Sequence, residues 1–145
     1  MITIETSIEI RRPVEVVFAF VSDLRNSPQW QGGIQEVRVT PDGPPIVGTQ
    51  VRQLVSFLGV KQETTSQITA LAPNRSLTLK GSSGPASLEG TLQFEATGEG
   101  TRLSAIIQVE PGGLFKVAAP VFASQFKKQQ EADFQRLKAL LEVQA

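Results

Sequence analysis

The chain has 145 residues, 40% of them hydrophobic and 19% charged, and its formal net charge is zero. That is enough apolar material for a buried core and too little charge for a disordered chain. Cys, His and Tyr are absent, which excludes disulfides, thiolate nucleophiles, phenolic acids and the commonest general base and metal ligand. The two basic pairs, Arg11-Arg12 and Lys127-Lys128, are isolated and make no polyanion-binding surface.

The opening MITIETSIEIRR has no basic region followed by an apolar run, and no apolar run approaches membrane-spanning length. A cytoplasmic chain without an integral membrane segment is the expectation. In the first stretch Ile2, Ile4, Ile8 and Ile10 interleave with Thr3, Glu5, Glu9 and Arg11, which predicts a half-buried strand. A slip in parity near Thr6–Ile8 suggests a bulge there. Pro13 suits the start of a helix, PVEVVFAFVS, that is apolar nearly all round and so should be wedged between other elements. Asp23 to Pro28 breaks it, and a second short helix or turn runs through Trp30 to Gly32-Gly33. Trp30 reads as a packing anchor, with ligand stacking as the alternative.

From Ile34 the pattern is strands and turns. Strands are expected over 34–40, 49–58, 61–71, 76–80, 87–96 and 102–109, with turns at Pro41–Pro45, Gly59, Pro73-Asn74, Gly81–Pro85 and Thr97–Thr101. Short turns between neighbours imply an antiparallel meander. The last stretch, Gly112 to Glu142, is the longest helical pattern. Phe115, Ala118, Ala119, Phe122, Phe126, Gln130, Phe134, Leu137 and Leu141 follow steps of three or four residues and fall on one face. Pro120 inside that pattern predicts a kink, or a short helix followed by a long one. Phe134, Leu137 and Leu141 should anchor the helix, while its N-terminal half walls a cavity. The order is strand, two short helices, six strands and one long helix, in a single domain over residues 1–145. This predicts an α+β fold in which one curved sheet is covered on its inner face by the final helix.

Several pieces, in this order, resemble a known superfamily: IEIRRPVEVVFAFVSD, NSPQW, VGTQVR, ITALAPNRSLTL, the GEGTRL hairpin and EADFQRLKALLE. Together they are similar to the START-like, helix-grip (SRPBCC) proteins, which include birch-pollen-type allergens, lipid-transfer START domains and polyketide cyclase/dehydrase-like proteins. The resemblance covers nearly the whole chain. It implies a seven-stranded curved antiparallel sheet gripping a long C-terminal helix, with a hydrophobic cavity between them. It also implies a lipid, polyketide or quinone-like small molecule as ligand.

With the apolar strand faces turned to the helix, the candidate ligand-binding residues are Trp30, Val51, Gln53, Val55, Phe57, Thr64, Ser66, Leu79, Leu92 and Ala105. The helix adds Phe115, Ala119, Phe122, Phe126 and Gln130. Most of these also read as plain core. Gln53, Thr64, Ser66 and Gln130 stand out because a buried polar group without a partner costs about 1–3 kcal/mol. They should pair with each other, with water or with a ligand. No pair of acids converges: Glu63, Glu89 and Glu95 alternate outward, Asp133 is placed at the helix flank, and Asp23 reads as a turn residue. No catalytic residue, metal set or cofactor is assigned, and no nucleic-acid partner. Binding or transport of a hydrophobic small molecule is the leading expectation. The alternatives are a cyclase/dehydrase-like enzyme working by positioning, and a protein-interaction module, such as a cochaperone or antitoxin-like partner, using Leu54, Leu58 and Ile106. A homodimer through the sheet edge or outer face is allowed but not required.

Overall fold

The computed structural model describes residues 2–57, 59–83, 86–110 and 119–143, with the backbone alone for Phe57, Ser83 and Ala119. Strand β1 (Ile2–Ile10) leads into helix α1 (Val14–Ser22), a 3-10 turn (Leu24–Asn26) and the short helix α2 (Ser27–Trp30). Six strands follow: β2 (Ile34–Thr40), β3 (Gln50–Phe57), β4 (Val60–Ala72), β5 (Ser76–Ser83), β6 (Ala86–Ala96) and β7 (Thr101–Glu110). Helix α3 (Ala119–Val143) closes the chain. All neighbours pair antiparallel in one seven-stranded sheet of order β1-β7-β6-β5-β4-β3-β2. This is the α+β helix-grip arrangement that the resemblance implies.

Strand β1 carries no bulge. Its register with β7 is continuous, and Ile2, Ile4, Thr6, Ile8 and Ile10 alternate with exposed residues. Thr6 belongs to the inner row, where its hydroxyl donates to Gln130 Oε1 at 3.0 Å. The irregularities fall elsewhere, at Ile34/Glu36 and Ile68/Ala70. The second corrects the expected inner face of β4: beyond the extra residue, Ala70 is exposed and Leu71 packs against the core. Strand β5 also runs past its expected end at Lys80. Gly81 lies inside it, where a Cβ would collide with the Thr65 carbonyl oxygen of β4.

Two core clusters hold the layers together. The larger joins Ile10, Val17, Phe18, Val21 and Trp30 to Phe94, Leu103, Phe134, Leu137 and Leu141. Phe18 meets Phe94 edge-on, with ring centroids 5.1 Å apart. The smaller joins Leu24, Val51, Ile68 and Leu77. Each large side chain buried here contributes about 1.5–3 kcal/mol.

The C-terminal half of α3 is fastened to the end of β1 and the two arginines after it as well. Arg12 donates to the Leu141 carbonyl at 2.8 Å, Lys138 donates to the Glu9 carbonyl at 2.8 Å, and the Arg11 N–H donates to Glu142 at 3.0 Å. The Arg12 bond occupies a terminal carbonyl that has no donor within the helix. At the other end Pro120 is the second residue of α3 as described. The expected kink or short preceding helix falls on residues outside the described ones. The expected helical stretch through Phe115 and Ala118 lies outside the described residues, as does Leu58. Among the described residues no helix is long and apolar enough to cross a membrane.

Candidate functional site

A cavity of about 290 Å³ lies between the N-terminal half of α3 and the sheet. Its apolar wall comes from Phe122 and Phe126 on the helix, Ile34 and Val55 on β2 and β3, and Leu88 and Val109 on β6 and β7. The two phenylalanines are one helical turn apart and stack, with ring centroids 5.8 Å apart and planes 27° from parallel. Half-exposed Val60 stands at the rim, where β3 turns into β4. Strand periodicity explains the assembly: alternate residues of β3 and β4 point inward, and β6 supplies Ala86 and Leu88 from the row that also holds Gly90.

The polar lining is rich in amides: Gln31, Gln53, Gln62, Gln129 and Gln130, with Ser56 and Thr64. Gln130 is committed through its carbonyl to Thr6, and Gln129 through its amide N–H to Asp133 at 2.8 Å. The side chains of Gln31, Gln53 and Gln62 bond no protein group among the described residues. They are not fully buried orphans either, since the one such atom among the described residues is Trp30 Nε1. These amides therefore keep hydrogen-bonding capacity at the cavity surface.

Asp133 is the charged residue of the lining among the described residues. It is only 7% exposed, a turn below Gln129 on α3. Its Oδ1 accepts from the Gly32 N–H at 3.0 Å, from Gln129 at 2.8 Å and from Arg136 at 3.4 Å. Arg136 also donates to the Trp30 carbonyl at 3.1 Å, so two side chains of α3 pin the segment that follows α2. Burial pushes the Asp133 carboxyl above its ordinary value, against the lowering effect of the Gly32 and Gln129 bonds and of the Arg136 charge. Asp23, by contrast, is a turn residue that accepts from the Arg25 backbone and side chain.

Of the residues proposed from the sequence, Gln53, Val55, Thr64, Phe122, Phe126 and Gln130 meet around this cavity. Val51, Leu79 and Leu92 pack in or against the smaller core, and Ala105 in the larger. Trp30 is 4% exposed and stacks on Phe134 at 6.1 Å, behind the cavity rather than on its surface. Ser66 pairs with Gly81 beyond the end of the cavity. Phe57, Phe115 and Ala119 offer no described side chain. Gln62 and Val60 were missed although they continue the parity of Thr64 toward the start of β4. Asp133 was missed although it follows Phe126 by seven residues, the spacing of one helical face; its charge argued for the flank. The Gln31–Ile34 segment has no periodicity to reveal it.

The sequence profile of the family described as "Polyketide cyclase / dehydrase and lipid transport" matches residues 1–142. Among curated proteins none matches. Among solved structures, a START superfamily protein from Mycobacterium smegmatis superposes with a TM-score of 0.80 at 19% identity, covering 99% of both chains. The ZhuI aromatase/cyclase from Streptomyces sp. R1128 gives 0.79 at 14% identity, covering 97% of this chain and 93% of its own. The DR_A0006 protein from Deinococcus radiodurans gives 0.73 at 17% identity over the full length of both. At these identities the likeness is one of fold.

Proposed function

The chain belongs to the polyketide cyclase/dehydrase and lipid transport family, and from that premise we propose that it binds an apolar small molecule in the cavity beneath the N-terminal half of α3. The observation that carries this reading is the lining itself. Aromatic and aliphatic walls surround the amides of Gln31, Gln53 and Gln62, which have no protein partner among the described residues, and this is the make-up of a small-molecule site. A sealed core would have closed on half-buried Leu88 and left no such amide unpaired. The size suits a ligand of two or three fused rings, or a short lipid segment.

The test is saturable binding of a neutral apolar fluorophore, 1-aminoanthracene, to the wild type and to Leu88→Trp, which places an indole in the cavity. Binding should fall at least tenfold in the variant while Tm stays within a few degrees. No saturable binding to the wild type, or equal binding to both proteins, would sink the reading.

A second reading, an enzyme of the cyclase or dehydrase kind, is favoured by Asp133. A buried carboxyl with raised proton affinity beside an apolar cavity is placed as a proton-transfer group would be. It predicts that the chain speeds cyclisation of a poly-β-ketone thioester and that Asp133→Asn abolishes the gain. A product profile identical to that of the buffer-only reaction would rule it out.

A further inference from the structure

We infer that Asp133 sets the chemical class of the ligand: the cavity takes a neutral molecule that carries a hydroxyl or N–H donor on an apolar body, and it rejects carboxylates and other anions. This inference rests on the reading of the cavity as a binding site and specifies what that site selects.

Three observations carry it. The first is the sign of the lining. Asp133 is its one charged side chain, and no Lys or Arg belongs to it among the described residues. Arg136 pairs with Asp133 Oδ1 at 3.4 Å from outside the lining. Its guanidinium donates to the Trp30 carbonyl, packs over Gly32 and is about half exposed. A ligand carboxylate would therefore lose its hydration and meet a carboxylate instead of a counter-ion.

The second is the asymmetry of the carboxylate. All three donors that reach Asp133 converge on Oδ1. Oδ2 has no partner among the described residues and still keeps accessible surface, since the fully buried unpaired atom there is Trp30 Nε1. An ionised carboxylate accepts on both oxygens. With Oδ1 filled and the residue on the cavity wall, Oδ2 is the open acceptor offered to whatever enters.

The third is the fixing of that acceptor. The side chain is held from three directions: by a backbone N–H of the segment after α2, by Gln129 one turn before it and by Arg136 one turn after it. A donor on the ligand meets an oxygen already oriented, so little ordering cost remains at binding. Burial that disfavours the charged form adds to the gain from a donor there. The unpaired amides of Gln53 and Gln62 lie on the opposite, sheet side of the cavity, on β3 and β4. A second polar group on the far edge of the ligand would reach them.

Calorimetric titration at neutral pH with three probes of one bicyclic frame tests the inference: naphthalene, 2-naphthol and 2-naphthoate. Wild type should bind 2-naphthol at least tenfold more tightly than 2-naphthoate and several-fold more tightly than naphthalene. Asp133→Asn should reduce the 2-naphthol preference over 2-naphthoate to less than threefold. Leu88→Trp should weaken every probe, which localises them. If naphthalene binds while 2-naphthoate matches or exceeds 2-naphthol, the selection by Asp133 is wrong and the binding site stands. If none of the three binds, both fall. Wild-type affinities that ignore the probe's substituent also overturn the inference, so it can fail even if the Asp133 variant does not fold.

Discussion

Asp133 answers two demands that pull in opposite directions. Burial disfavours its charge, while Gly32, Gln129 and Arg136 supply donors that favour it, and burial wins. The folded chain then holds the Asp133 proton more tightly than the unfolded chain. Stability contributed at this residue is greatest below the unfolded value of 3.8 and falls as pH rises through the folded one. Asp133→Asn keeps an acceptor for the Gly32 N–H and removes the titration. Thermal melts taken upward from the unfolded value should show the difference in Tm between variant and wild type shifting in favour of the variant; a constant difference would mean that burial does not govern this carboxyl. Spacing along the helix was enough to place Asp133 on the inner face, but residue type argued the other way. An acid on an inner face is expensive unless donors are waiting, and one of the three here, the Gly32 N–H, comes from about a hundred positions earlier in the chain. No local pattern carries that information. Gln130 is a similar case: its inward direction was legible, whereas its partner Thr6 was hidden by a misread parity in β1.

At the scale of the element, α3 is two helices in energetic terms. Phe134, Leu137 and Leu141 are at most 2% exposed and sit in the main core, while Phe122 and Phe126 face a void on one side. The cost of truncation follows the surroundings that close around each residue. Leu137→Ala should lose about 2–5 kcal/mol in urea denaturation. Phe126→Ala deletes a larger side chain yet should lose less than half as much, because its wall is already open. Equal losses would show that the first turns of α3 are as firmly packed as the last. This division was readable in the sequence, where small residues and Pro120 precede the bulky run of the C-terminal half. The bulge in β4 was not. An extra residue between Ile68 and Ala70 changes which of Ala70 and Leu71 faces inward, and both are apolar, so either register satisfies the pattern.

For the whole molecule, the first strand and the last helix close the fold together. Strand β1 lies beside β7, the last strand, and it and the two arginines after it share hydrogen bonds with the end of α3. The element order and the antiparallel meander were legible because turn residues punctuate every strand and inward rows are apolar. What could not be read was how far the sheet closes on itself. That depends on close approaches such as Gly81 against Thr65, where the lack of a side chain matters more than any propensity. The cavity is a product of this scale. It is the space left when a sheet gripped tightly at one end of a helix cannot follow it to the other.

Trp30 is the sole tryptophan of the chain, and it lies stacked on Phe134 of the firmly held half of α3, its buried indole N–H without a partner among the described residues. The protein thus carries its own optical label. All indole emission arises from one buried site that exists only while α3 is seated against α2, so its wavelength reports helix docking. The residue stands one position from Gln31 on the cavity lining. A single unmodified sample therefore gives a spectroscopic signal for folding, for helix release and for events at the cavity wall.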